Sequence, residues 1–196
     1  MAGKVVRSAG EYLKGLSELC ARVDAGALER FADLLFEAWK GDRTVLIFGN
    51  GGSAYTASHY VTDFVKTAQV EGQRRLRAIS LVDNYGMTTA IGNDMDYAQT
   101  MSHPVESYGR AGDLAVAISC SGNSPNVVRA CEAAKRAGMK VVALTGFSGG
   151  KIGAMADLHV HVASENYGLI EDLHLSCGHV AAQLLLHKVS TAAGAR

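Results

Sequence analysis

The sequence predicts an α/β fold, a parallel sheet covered by helices on both faces, and three observations predict it. Short apolar, β-prone runs alternate with helix-patterned stretches from Val45 onward. Two of those runs lead through glycine- or serine-rich loops directly into helices. In a chain of 196 residues, 48% hydrophobic residues supply one large core.

Two helices come first. Ser8 and Glu11 have capping-box spacing, and Leu13, Leu16, Cys20 and Val23 follow at helical intervals. Leu28, Phe31, Leu35 and Ala38 form the stripe of a second amphipathic helix ending near Trp39. A helical pair ahead of the first strand either covers the sheet or packs against another subunit. Then come strand 45–48, a helix through about residue 67, strand 76–81 and helical stretches to about residue 108. Strand 114–119, helix 125–137, strands 140–145 and 158–162, and a long helix from about residue 169 complete the series, with STAAGAR as a frayed end. This predicts a five-stranded parallel sheet in a single domain over 1–196, with the helical pair in 1–42 and the α/β core in 43–190.

The formal net charge is zero, from 19 basic and 19 acidic residues without a basic block. That argues against nucleic acid and anionic membrane as partners. No apolar run reaches spanning length and the N-terminus lacks a signal-peptide hydrophobic region, so a cytoplasmic protein is expected. Cys20, Cys120, Cys131 and Cys177 have no C-x-x-C spacing and read as reduced thiols. Cys120, in a loop before a helix, is either a nucleophile or a small residue lining the loop.

The most informative stretch is 45–64. Its strand passes into Gly49, Asn50, Gly51, Gly52 and Ser53, where the backbone can turn sharply and offer free N–H groups to a phosphate. The loop matches neither the dinucleotide fingerprint nor the P-loop, which favours a smaller phosphate-bearing ligand. His59 and Asp63, four residues apart on the following helix, face the same way. A second loop, Ser119, Cys120, Ser121, Gly122, Asn123 and Ser124, places three hydroxyls beside a helix start with Ser124 at the N-cap and Pro125 at the first helical position. It reads as an anion cradle. On the last helix, Glu171 and His174 have the i, i+3 spacing of carboxylate–histidine metal pairs, and spacing alone prefers His174 as ligand. Asp172 reads as solvent-facing, and His159 and His161 alternate on a strand toward a common side.

Together, GNGGS at 49–53, His59 with Asp63, Asn93 with Asp94, SCSGNS at 119–124 and YGLIEDLHLSCGH at 167–179 resemble single-domain SIS proteins of the phosphoheptose isomerase group, over nearly the whole chain. The resemblance implies an SIS fold and a homotetramer with active sites between subunits. It implies zinc on His59, Asp63, Glu171 and His179, and a phosphosugar held by Ser53, Ser119, Ser121 and Ser124 at its phosphate. Asn50, Gly51, Gly52, Asn93 and Asp94 would hold the sugar, with Cys120 and Glu171 also against the substrate. The implied reaction converts sedoheptulose 7-phosphate to D-glycero-D-manno-heptose 7-phosphate through an enediol, with Asp63 and His179 as the acid–base pair. The alternatives are an isomerase of another phosphosugar, or a non-catalytic SIS module that binds DnaA or senses a phosphosugar. Four positions depart from the family pattern: Asp63 stands for its glutamate, Glu171 for its glutamine, Cys120 for its threonine and Gly168 for its aspartate.

Overall fold

The computed structural model describes residues 5–194. Five strands, β1 (Thr44–Gly49), β2 (Arg77–Ser80), β3 (Leu114–Ser119), β4 (Lys140–Thr145) and β5 (Leu158–His161), pair in parallel in the order β2-β1-β3-β4-β5. The helices are α1 (Ala9–Cys20), α2 (Ala25–Lys40), α3 (Gly52–Thr62), α4 (Tyr85–Asp94), α5 (Ser102–Tyr108), α6 (Pro125–Arg136), α7 (Gly150–Met155) and α8 (Tyr167–Gly194). The strand order reverses at β1, whose neighbours are β2 on one side and β3 on the other. The loops leaving β1 and β3 therefore share the crevice at the carboxyl ends of the strands, where ligands of open α/β sheets bind.

Strand periodicity divides the core in two. Val45, Ile47, Val116, Ile118, Val142, Leu144 and Val160 face α2, α3 and α8, meeting Phe31, Leu35, Tyr60, Phe64, Ala181 and Leu185. Leu46, Phe48, Ala115, Ala117, Val141 and Ala143 face the other way, onto Val105, Val127, Ala130, Cys131 and Ile152. Burial on both faces is why the strands read as continuous apolar runs. Of the leading helices, α2 covers the sheet with its Phe31 and Leu35 stripe. The less buried α1 is tied to α8 by a 2.6 Å hydrogen bond from the Tyr12 hydroxyl to Asp172. Asp172 is exposed, as expected, and also ties the two helices.

Three details differ from expectation. The helix after the first loop is α-helical only to Thr62 and continues as a π-turn over Asp63–Thr67. Helix α7 is missed because its six residues begin with Gly150, directly after Gly149, and are too few for a periodic pattern. Finally, α8 begins at Tyr167 and runs to Gly194 instead of fraying near 190, since Val189 is buried and the Thr191 hydroxyl donates back to the His187 carbonyl at 2.9 Å. Among the described residues, no helix is long and apolar enough to cross a membrane.

Candidate active site

At the end of β1, where Gly49 pairs with Ile118 of β3, the chain turns at Gly51 with φ 56° and ψ −123°, a conformation that suits glycine. Helix α3 starts at the next residue. A β-carbon on Gly52 would lie 2.5 Å from the Glu171 carboxylate, so this glycine makes room for Glu171 against the first turn of α3. In the second loop, Ser119 Oγ accepts from the Gly122 N–H and Ser121 Oγ from the Asn123 N–H, each at 3.2 Å. Ser124 holds the N-cap position of α6, but its side chain makes no capping hydrogen bond.

The two loops and α8 enclose a cavity of about 160 Å³ lined by Asn50, Ser53, Ser119, Cys120, Ser121, Ser124, Tyr167 and Glu171. Larger surface grooves, of about 640 Å³ along α1 and about 740 Å³ beside β2, contain neither loop. Burial, and then the neighbouring Asp172, raise the Glu171 pKa. Burial, and then Glu171, push the Cys120 thiol up to about 11. Cys120 is therefore a neutral thiol at physiological pH, which favours the lining role over the nucleophile.

Seven of the expected substrate contacts line this cavity; Gly51 and Gly52 do not, although a β-carbon on Gly52 would meet the lining residue Glu171. Asn93 and Asp94 are not among the lining residues; they close α4, where Asn93 Nδ2 donates to Asp94 Oδ1 at 2.7 Å. The residues that sequence reasoning missed are Tyr167, on the cavity wall, and Asn126, Tyr97 and Thr100, which hold Asn50 from behind. Asn126 follows the proline of α6 and carries no spacing signal. Only its burial, at 1% exposure, reveals it.

The imidazoles gather further along the same helix pair. Gly52 meets Glu171, while Tyr60 and His59 meet Gly178 and His179, so α3 and α8 run side by side in the same direction. The Nε2 atoms of His59 and His179 are 3.0 Å apart, and Asp63 Oδ2 lies 3.3 and 3.4 Å from them. That oxygen is buried and receives no hydrogen bond of standard geometry, while Asp63 Oδ1 accepts from the Thr67 hydroxyl at 3.2 Å. Asp63 thus reaches both imidazoles despite its short side chain. It stands where the α-helix widens into the π-turn, a local irregularity frequent at functional sites.

Among the described residues, His59, Asp63 and His179 form the one group of three potential metal ligands. Two imidazoles and an orphaned carboxylate oxygen suit zinc, whose ~2.0–2.1 Å bonds in tetrahedral geometry hold ligand atoms about 3.4 Å apart. The residues fit the ion. Glu171 does not join them within one chain: eight residues of α8 separate it from His179, about 12 Å of rise. His174, preferred on spacing alone, is likewise elsewhere. It is fully buried, neither ring nitrogen has a hydrogen-bond partner of standard geometry, and burial pushes its pKa down to about 4, softened by the Thr145 backbone and reinforced by His161. His159 and His161 do face a common side, with ring centroids 5.3 Å apart.

A switch-point crevice with two hydroxyl-rich loops, on a five-stranded parallel sheet preceded by two helices, defines an SIS protein, and the model of the SIS domain matches residues 11–146. The chain is 44% identical over 140 residues to a phosphoheptose isomerase of Desulfovibrio desulfuricans, covering 71% of this chain and 66% of that one. It is 39% identical over 159 residues to a phosphoheptose isomerase of Citrifermentans bemidjiense, covering 81% and 82%. The solved phosphoheptose isomerase of Neisseria gonorrhoeae superposes with a TM-score of 0.83 at 32% identity, over 90% of this chain and 95% of that one. The chain belongs to the phosphoheptose isomerase family of SIS proteins.

Proposed function

We propose that this protein interconverts sedoheptulose 7-phosphate and D-glycero-D-manno-heptose 7-phosphate. The observation that carries the proposal is the α3–α8 pair, which joins a hydroxyl-lined cavity at one end to the His59, Asp63 and His179 group at the other. About two helical turns, or ~11–12 Å, separate the two ends. A seven-carbon sugar phosphate bridges that span more readily than a triose phosphate does.

In this reading, Ser53, Ser119, Ser121 and Ser124 donate hydroxyl hydrogen bonds to the phosphate, helped by backbone N–H groups at the start of α3. Asn50, Gly51 and Gly52 hold the sugar, with Cys120 and Glu171 on the cavity wall. Asn93 and Asp94 close over it from α4. Asp63 and His179 are the acid–base pair: one removes the proton from the carbon next to the carbonyl, and the other protonates the enediol that results. The Asp63 Oδ2 and His179 Nε2 atoms lie 3.4 Å apart, so the two groups can serve neighbouring carbons of one substrate. Zinc held by His59, Asp63 and His179 would supply positive charge to stabilise the enediolate oxygens. A homotetramer with sites between subunits, in the cytoplasm, belongs to the same reading.

The test is a steady-state assay with sedoheptulose 7-phosphate, with and without zinc, followed by identification of the aldoheptose. Absence of turnover in both conditions, or unchanged turnover in His179→Ala, overturns the assignment.

A further inference from the structure

Resting on the reading of Asn50 as a sugar contact, we infer that Asn126, Thr100 and Tyr97 lock the Asn50 side chain in one orientation, in which it offers the ligand a single N–H donor and no acceptor. Asn126 and Asn50 form a reciprocal amide pair: Asn50 Nδ2 donates to Asn126 Oδ1 at 2.8 Å, and Asn126 Nδ2 donates to Asn50 Oδ1 at 2.9 Å. Taken alone, such a pair reads equally well with both amides reversed. Two neighbours remove that freedom. The backbone N–H of Val127, which can only donate, meets Asn126 Oδ1 at 3.0 Å, so the atom there is the oxygen. The Thr100 hydroxyl spends its hydrogen on the Tyr97 carbonyl at 2.8 Å, so it can only accept from the other amide atom, Nδ2, at 3.2 Å.

With Asn126 fixed, Asn50 follows. Its Oδ1 accepts from Asn126 and also from the Tyr97 hydroxyl at 3.0 Å, which fills both lone pairs. One of its two N–H bonds is spent on Asn126. The remaining N–H is free for the ligand. Asn50 therefore recognises an acceptor oxygen, whether carbonyl, phosphate or hydroxyl through its lone pair, and selects against a group that can only donate, such as the ammonium of an amino-sugar phosphate. Asn126 and Thr100 are buried, at 1% and 2% exposure, so water does not compete for these bonds. They and Tyr97 are positioning residues that act through Asn50.

A double-mutant cycle on zinc-loaded enzyme tests this. Asn126→Asp keeps the shape and the bond to Val127 but sets an oxygen against Asn50 Oδ1. The KM for sedoheptulose 7-phosphate should rise about tenfold, the effect of one mispaired polar group, with kcat changed much less. In the Asn50→Ala background the same substitution should add nothing. Tyr97→Phe, which removes only a hydroxyl, should show a smaller KM effect, equally lost in Asn50→Ala, and it serves if Asn126→Asp does not fold. Additive effects overturn the lock. An unchanged KM in Asn50→Ala, with wild type active, also overturns it and leaves the isomerase reading standing. If wild type shows no turnover, the isomerase reading fails on its own, and calorimetric affinities for the same sugar phosphate take the place of KM. Non-additivity there upholds the lock, and the absence of wild-type binding overturns it.

Discussion

The ring of Tyr60 fills the space that a β-carbon on Gly178 would need, and the Tyr60 hydroxyl donates to the His174 carbonyl one turn earlier on α8. This close approach brings His59 and His179, the next residue outward on each helix, within hydrogen-bonding distance. Tyr60 is fully buried and cannot step aside. Gly178→Ala should therefore push the helices apart. Overpacking of this kind costs about 1–3 kcal/mol, which for a chain of this size lowers Tm by roughly 3–10 °C. Thermal melting checks the stability, and zinc titration checks the imidazole pair. An unchanged Tm together with unchanged zinc affinity would show that the helix spacing is not set here.

The metal group makes a separate prediction. Wild type should bind about one zinc per chain, and His59→Ala or His179→Ala should weaken it on the order of 100-fold by removing one of few ligands. Asp63→Asn keeps the shape but loses the charge, and should weaken binding less. Competition with a chromogenic chelator measures all three without reference to turnover. Equal affinity in wild type and His179→Ala would remove this group as the zinc site.

Gly52 and Glu171 separate activity from stability. The atoms that a β-carbon at position 52 would strike belong to the end of a flexible carboxylate, so Gly52→Ala should cost less than about 1 kcal/mol in urea unfolding. It should still displace Glu171 from the first turn of α3 and lower kcat/KM. In a Glu171→Ala background, Gly52→Ala should have little further effect on kcat/KM, because nothing remains to be displaced. A full additional loss there would mean that the glycine serves the ligand directly and not Glu171.

These contacts also mark what was legible in the sequence. Strands buried on both faces are continuous apolar runs, so β1, β3 and β4 fall where the composition puts them. The glycine and serine loops announce themselves because tight strand-to-helix turns need small residues, and serines at a helix start bring hydroxyl donors. Helical spacing correctly joins His59 to Asp63. It misjudges α8, where Glu171, His174 and His179 all look eligible, because the periodicity of one helix does not say which neighbour it meets. The neighbour is α3, and the register is set by Tyr60 against Gly178, a contact between residues 118 positions apart. Asn126, Thr100 and Tyr97 escape notice for the same reason: their function is a pattern of bonds across three elements. At Gly168 a β-carbon would lie 2.8 Å from the Tyr12 hydroxyl that bonds Asp172, a contact no spacing rule reveals.

Cys120 should behave as a packed thiol. With its pKa at about 11, the thiolate fraction at pH 7.5 is well below that of an ordinary cysteine. In a Cys20→Ser background, which removes the one exposed cysteine, alkylation by iodoacetamide at pH 7.5 should be slower than that of a free thiol by more than tenfold. Cys120→Ser should keep kcat within a few-fold of wild type. Loss of all turnover in Cys120→Ser would restore the nucleophile reading.

His174 predicts the acid limb of stability. Folded, its pKa lies near 4; unfolded, it returns to about 6.5. Between those values the unfolded chain binds a proton that the folded chain refuses, so stability is complete above about pH 6.5 and falls as the pH drops toward 4. At ~1.4 kcal/mol per unit, the loss over that window approaches, as an upper bound, about 3 kcal/mol from this one side chain. Urea unfolding of wild type and His174→Leu at pH 7.5 and pH 5 isolates it. The leucine removes the titration while leaving the backbone carbonyl that Tyr60 uses, so its stability should change less between the two pH values than that of wild type. If both proteins lose the same amount, the acid sensitivity arises elsewhere, and the buried imidazole is no more than a packed ring.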